Sequence, residues 1–197
     1  MCLAVLLVAC GKKDENLSLT ITVVEYGTNK PIPNVGVEVY AYESIEGRWG
    51  GRDVYYDSIV TNSQGRAFID GSEYRPNMIR LYSPEKNYYD QWLYGAQGEL
   101  QLSVVERNKN VAELIPFAWA KIRFIKESQL DYIGFNLPGE PYSYTIYTTD
   151  TLIYGKTFGN KDVELTIYPN KGGAALPVEH DSFFPLGHDT TYHEIRW

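Results

Sequence analysis

Alternation of apolar and polar positions is the dominant pattern of this chain, and its two-residue period is that of a half-buried β-strand. Within residues 17–26, Leu19, Ile21 and Val23 alternate with serine and threonine. The pattern returns in residues 35–42, where valines and an alanine occupy every second position. Because successive side chains of a strand point to opposite faces, both segments are predicted to be strands with one buried face.

Shorter runs of the same kind follow, separated by turn residues. The predicted strands of this first part cover residues 17–26, 35–42, 54–61, 66–70, 78–83, 99–106 and 111–115. Seven short strands at fairly regular spacing favour a β-sandwich over a helical or mixed fold. The first predicted module is therefore a seven-stranded sandwich over residues 17–115.

The alternation begins again after Pro116 and predicts a second, smaller β-sandwich over residues 116–197. Its predicted strands cover residues 117–126, 131–137, 144–158, 163–168 and 191–197. The segment 144–158 is long enough for two strands or for one bent strand, with a break near Asp150. Residues 170–188 are rich in glycine and proline and are predicted to form loops. The chain as a whole is thus expected to be all-β.

The amino-acid composition and the net charge limit the classes of binding partner to expect. Tyrosine is the outlier, with 17 among 197 residues, and tyrosine favours the pleated, half-buried surface of a sheet. The net charge is −7 and no basic stripe is present, so nucleic acid is not expected as a partner. A hydrophobic share of 44% is enough for a real core.

The N-terminus carries the most specific motif. An apolar run over residues 3–9 ends in a small residue, and Cys10 follows it. This arrangement resembles the lipobox of bacterial lipoprotein signal peptides, in which the cysteine is lipidated and becomes the mature N-terminus. The resemblance implies a signal peptide over residues 1–9 and a lipid anchor on Cys10. The run is far too short to span a membrane as a permanent helix.

Residues 10–16 are predicted to be a tether. A lysine pair and an acidic pair follow Cys10, which resembles the export signal of surface lipoproteins in Bacteroidetes-type bacteria. The resemblance implies a place at the outer membrane, facing outward, with the periplasmic face as the alternative. The charge pattern alone fits an ordinary solvated linker equally well. Since Cys2 leaves with the signal peptide, no disulfide is expected in the mature protein.

Two turns in the first module carry a further resemblance. Residues 28–39 place two prolines before a valine strand, and residues 61–68 place Gly65 in a turn that ends at Phe68. These motifs resemble the carboxypeptidase regulatory-like domain, a transthyretin-like (prealbumin-like) sandwich. The resemblance implies a module with no active site of its own, and Phe68 is expected to return to the core. An Ig-like sandwich of another topology is the alternative.

Aromatic residues in two loops are the candidate ligand-binding residues. They are Trp49, set among glycines, and Tyr88, Tyr89, Trp92 and Tyr94, set beside an aspartate and a glutamine. Aromatic faces stack on sugar rings, while carboxylates and amides bind sugar hydroxyl groups. The alternative is structural, with Trp92 folded down to cap the end of the sandwich and Trp49 packed on the sheet.

The three histidines lie in one segment, at His180, His188 and His193. Their spacing matches no metal motif, so exposed loop positions are the preferred interpretation and no cofactor is expected. No serine-hydrolase, metalloprotease or phosphate-loop motif is present. We therefore expect a non-catalytic binding or assembly module whose partner is an envelope protein or a glycan. Saccharide capture is the alternative, and a hydrolase is the weakest hypothesis.

Overall fold

The computed structural model describes residues 19–44, 50–70, 76–83, 85–94, 110–148 and 150–197. These residues form fifteen β-strands, and none of them is helical. The all-β class predicted from the alternation is confirmed. Cys10 and Trp49, the tether, and the strand predicted over residues 99–106 lie outside the described residues.

Two sheets form the first sandwich. One contains β1 (Leu19–Glu25), β4 (Arg66–Ile69) and β7 (Asn110–Leu114), in the order β4-β1-β7. The other contains β2 (Gly36–Ser44), β3 (Gly51–Val60), β5 (Pro76–Tyr82) and β6 (Gln91–Tyr94), in the order β3-β2-β5-β6. Of these strands, β6 lies in a segment that the sequence had indicated as a loop.

The two sheets pack face to face around the first hydrophobic core. Ile21, Val23 and Leu114 enter it from the first sheet, and Val37 and Leu81 enter it from the second, all fully buried. They occupy alternate positions of their strands, as the sequence pattern predicted, because alternate side chains share one face of a sheet. Two sheets that share a core in this way form a β-sandwich.

The expectation for Phe68 was wrong. Its side chain is 61% exposed, while Ala67 and Ile69 on either side of it are buried. Successive side chains of β4 point to opposite faces of the sheet. Ala67 and Ile69 face the core, so Phe68 between them must face away from it. Phe68 therefore lies on the outer face of its sheet, opposite Thr20 of β1.

A second pair of sheets follows. Its strands are β8 (Phe117–Ile125), β9 (Tyr132–Asn136), β10 (Ser143–Ile146), β11 (Thr151–Phe158), β12 (Val163–Lys171), β13 (Ala174–Ala175), β14 (Glu179–Phe183) and β15 (Thr190–Arg196). One sheet has the order β11-β8-β15, and the other has the order β10-β9-β12, with β13 and β14 both paired to β12. The second core lies between them and includes Ile122, Phe124, Phe135 and Leu165.

In the second part, the structure decides how the segment 144–158 is divided and corrects the prediction for residues 170–188. The segment 144–158 forms two strands, with the break between Ile146 and Thr151, and Asp150, whose φ is 58°, directly precedes β11. Residues 170–188 are not all loops, because β14 pairs with β12 from Val163↔Phe183 to Ile167↔Glu179. That pairing buries Phe183 in the second core.

The two sandwiches share one topology. In the first, β1 lies between β4, which is antiparallel to it, and β7, which is parallel. In the second, β8 lies between antiparallel β11 and parallel β15. The opposite sheets also correspond, β3-β2-β5-β6 to β10-β9-β12 with β13 and β14 beside β12. The division into residues 17–115 and 116–197 as independently folding domains stays a prediction.

Candidate functional site

A buried carboxylate lies where the two sandwiches meet. Glu25 is the last residue of β1 and only 7% of it is exposed. The chain turns directly after it, and the N–H groups of Thr28 and Asn29 donate to the Glu25 carbonyl at 3.3 and 2.9 Å. Gly27 and Asn29 have φ values of 82° and 56° in this turn, which a glycine and an asparagine adopt at low cost. The turn thus fixes the carboxylate against the second sandwich.

Four side chains surround this carboxylate, two at each oxygen. Oε1 accepts from the Thr28 hydroxyl at 2.9 Å and from Asn160 Nδ2 at 3.3 Å. Oε2 accepts from the Tyr88 hydroxyl at 2.9 Å and lies 2.9 Å from His188 Nε2. An ionised carboxylate accepts at about four positions, so all of them are filled. We call these five residues, Glu25, Thr28, Tyr88, Asn160 and His188, the Glu25 cluster.

The protonation states in the cluster follow from this geometry. Burial raises the pKa of Glu25, but hydrogen bonds from His188, Thr28 and Tyr88 outweigh it and hold the pKa below its ordinary value. Burial and the neighbouring carboxylate raise the pKa of Tyr88, so its phenol stays protonated and donates. An ionised carboxylate with a low pKa and filled acceptor positions is a poor general base.

Asn160 and His188 bring the second sandwich to this carboxylate. Asn160 lies in the turn between β11 and β12 with a φ of 56°. Its amide nitrogen also donates to the Tyr26 carbonyl at 3.1 Å, and its amide oxygen accepts from the Gly187 N–H at 2.8 Å. One side chain thereby connects three segments of the chain across the joint.

Tyr89 forms the apolar part of the joint. Its ring packs edge-on against Phe117 with centroids 4.4 Å apart and against Phe158 at 4.7 Å. Burial, and to a smaller extent Glu140, raises the pKa of Tyr89 to about 12. The Tyr89 N–H donates to the Ile115 carbonyl at 3.0 Å, so the loop before β6 holds the connection between the sandwiches.

Tyr88 and Tyr89 are the two candidate aromatic residues whose side chains the structure describes. Tyr88 and Tyr89 are half-buried, and their rings pack on side chains of this chain, including the His188 ring at 5.0 Å from Tyr88. Trp92 and Tyr94 lie in β6, whose backbone pairs with β5, and their side chains are outside the described part. Trp49 is outside it too, so its role in binding stays a prediction.

A cleft of about 330 Å³ opens beside the Glu25 cluster. It is lined by Ile32, Pro33, Asn34, Ser83, Glu85, Asn87, Tyr88 and His188. The lining combines one isoleucine and one proline with polar and charged side chains, and Tyr88 is part of it. The ligand-binding role expected for Tyr88 stays a prediction.

The outer face of the β11-β8-β15 sheet carries exposed aromatic rings that the sequence analysis missed. Trp119 is 50% exposed, Tyr154 is 59% exposed and Tyr192 is 52% exposed. The register places Tyr154 and Tyr192 on either side of Lys121, and Trp119 lies two residues before Lys121 on β8. The alternation over residues 117–126 contained the clue, since Trp119 has the same parity as the solvated Lys121.

The three histidines do not form a cluster with one another. His180 lies on β14, not on a loop, with its Nδ1 2.6 Å from Glu164. His188 belongs to the Glu25 cluster, and His193 lies 2.7 Å from Asp181 and stacks on Phe183. In the described part of the chain, no group of three or more histidine, cysteine or acidic residues could hold a metal ion. That part also contains no helix long and apolar enough to cross a membrane.

No family model matches this chain, and no curated protein sequence matches it either. Among solved structures, GBS52, the minor pilin of Streptococcus agalactiae, is 12% identical, with 91% of this chain and 94% of that chain covered and a TM-score of 0.38. The shaft pilin SpaA from Lactobacillus rhamnosus GG is 11% identical, with 92% and 97% covered and a TM-score of 0.31.

Similarities this low carry no argument about function. What the chain's own fold and site define is a class: an all-β protein of two sandwiches joined by a polar cluster whose carboxylate is fully hydrogen-bonded.

Proposed function

We propose that this chain is a lipid-anchored module of the bacterial cell envelope that binds a partner and does not catalyse a reaction. One observation carries the non-catalytic part of the proposal. The buried carboxylate and histidine at the joint resemble an acid–base pair, but Glu25 accepts from four donors of its own chain. A substrate would have to displace one of them, so the cluster is better suited to joining the sandwiches than to proton transfer.

The anchoring part of the proposal comes from the N-terminal motif. The apolar run over residues 3–9, the small residue before Cys10 and the charged tether after it support lipidation of Cys10. The resemblance of the tether to a surface-export signal supports a position at the outer membrane, facing outward. The anchor would be the contact with the membrane, and the sandwiches would present the binding surface.

Saccharide capture is the second candidate, and the exposed aromatic rings favour it. Trp119, Tyr154 and Tyr192 share the outer face of one sheet. Aromatic rings with a polar edge suit sugar rings, which offer apolar faces and hydroxyl groups together. A protein partner in the envelope is the other class of ligand for the same module.

Membrane fractionation of two cysteine variants tests the anchor. Cys10→Ser, produced as the full chain in a bacterium that processes lipoproteins, should leave the membrane fraction and keep its signal peptide. Cys2→Ser is the matched control and should remain in the membrane fraction, because its cysteine is removed with the signal peptide. Membrane association that is unchanged in Cys10→Ser would refute lipidation at this residue.

A further inference from the structure

We propose that the outer face of the β11-β8-β15 sheet is a binding site for an acidic polysaccharide. The inference rests on the proposed function as a binding module and names its ligand class. It concerns the rings of Trp119, Tyr154 and Tyr192 and the ammonium group of Lys121. None of these residues is part of the Glu25 cluster or of the candidate residues at 88–94.

The geometry of the face comes from the strand register. Tyr154↔Lys121 and Tyr192↔Lys121 are paired positions, so one row across the sheet reads tyrosine, lysine, tyrosine. Because neighbouring strands lie about 4.8 Å apart, the two tyrosines start about 10 Å from each other, with the lysine between them. Trp119 adds a third ring in the adjacent row, opposite Lys156 of β11.

The charge of the face points to an anion. Lys121 Nζ lies 5.5 Å from the centre of the Tyr154 ring, and within the described residues no carboxylate forms an ion pair with it. The neighbouring Arg123 is different, because its guanidinium group is paired with Asp150 at 2.6 Å and with Glu194 at 4.0 Å. On a chain with a net charge of −7, an ammonium group left unpaired among exposed rings is available to a negatively charged ligand.

The same features favour a polysaccharide over a protein. The centre of a protein–protein interface is depleted of lysine, since the ammonium group would lose its water there. A sugar chain lying across the face can stack its rings on Tyr154, Tyr192 and Trp119 and still leave Lys121 partly hydrated. A carboxylate or sulfate on the sugar then supplies the missing partner for the ammonium group.

Affinity electrophoresis of the full chain in detergent tests this inference. Native gels would contain polygalacturonate, alginate or chondroitin sulfate, and the matched neutral gels would contain methyl-esterified polygalacturonate or dextran. The expected result is retardation in at least one acidic gel and not in its neutral counterpart, with weaker retardation at higher salt. Trp119→Ala and Lys121→Glu should each weaken the interaction about tenfold, as expected for an anchoring residue at the centre of a binding site.

Two variants control for exposed aromatic rings and lysines elsewhere. Phe68→Ala removes an equally exposed ring from the first sandwich, and Lys171→Glu reverses an exposed lysine at the end of β12. Both should be retarded like the unchanged protein. The inference fails if no acidic gel retards the protein, if neutral gels retard it equally, or if the two face variants behave like the controls. If it fails while Cys10→Ser still leaves the membrane fraction, the anchored module stands and only its ligand class is wrong.

Discussion

Replacing Glu25 by glutamine tests whether the Glu25 cluster stabilises the contact between the two sandwiches. Glutamine keeps the shape and one acceptor oxygen but presents an amide NH₂ group where the second carboxylate oxygen was. Two of the four hydrogen-bond donors around residue 25 would then face the amide NH₂ group, which is itself a donor. The sandwiches would lose part of the polar contact that joins them, while both hydrophobic cores stay unchanged.

The expected loss can be estimated from the hydrogen bonds. A hydrogen bond to a charged group contributes about 1.5–3 kcal/mol, and two are lost. Because Tyr88 and His188 are partly exposed and can turn to water, we expect about 2–3 kcal/mol in the free energy of unfolding. For a chain of this size that corresponds to a melting temperature lower by about 5–10 °C.

The stability that Glu25 contributes should decrease as the pH is lowered. The pKa of Glu25 in the folded protein lies below its ordinary value of 4.5, so its charge stabilises the fold fully above that value. This contribution is lost as the pH falls through the depressed pKa of the folded state. The difference in stability between the unchanged protein and Glu25→Gln should therefore be largest near neutral pH and should shrink in acid.

Thermal unfolding followed by circular dichroism between pH 3 and pH 7 measures both effects. Glu127→Gln is the matched control, since Glu127 pairs with Arg196 on the surface with both side chains more than half exposed. It should change the stability by less than about 1 kcal/mol. If Glu25→Gln is as stable as Glu127→Gln at pH 7, the role assigned to the cluster is wrong.

Three further predictions concern the cores and turns, each read from urea or thermal unfolding. Phe124→Ala should lower the free energy of unfolding by about 3–5 kcal/mol, because its ring is fully buried, whereas Phe68→Ala should change it by less than about 0.5 kcal/mol. Gly65→Ala should lower the free energy of unfolding more than Gly172→Ala. Both glycines have a positive φ, but only at Gly65 would the new Cβ meet a backbone oxygen, at 2.5 Å. Equal losses of stability in the two variants would contradict this. Thr61→Val should cost about 1–2 kcal/mol, because the buried hydroxyl both donates to a carbonyl and accepts from a backbone N–H, and an unchanged stability would show that these bonds contribute nothing.

The strands were predictable because one face of each sheet is buried. Alternation in residues 17–26 and 117–126 marks the inward positions directly, and the structure buries Ile21 and Ile122 accordingly. The edge strand β14 was missed because its sequence is mostly polar, with Phe183 as its one buried residue. Polar edge strands are common in natural sheets, since an apolar edge invites aggregation.

The Glu25 cluster was only partly predictable. Glu25 has the same parity as Ile21 and Val23, so the alternation already indicated an inward-facing charge, and a buried charge requires partners. Those partners could not be identified from the sequence, because Asn160 and His188 lie 135 and 163 residues away along the chain. Only the packing of one sandwich against the other brings them to the carboxylate.

The exposed face was hidden for a similar reason. Period-two alternation shows that Trp119 and Lys121 share a side of β8, but it does not show which strands lie beside β8. The parallel pairing with β15 joins residues about 70 positions apart and brings Tyr192 next to Lys121. The register supplied by the fold, and not the local sequence, assembles the three rings.

The most direct test of the account compares Trp119→Ala with Glu25→Gln in the same acidic affinity gel, at a temperature at which circular dichroism shows both to be folded. We expect weakened retardation of Trp119→Ala and unchanged retardation of Glu25→Gln, because the sheet face binds and the Glu25 cluster joins the sandwiches. Loss of retardation in Glu25→Gln with retention in Trp119→Ala would contradict the account and would place the binding site at the joint.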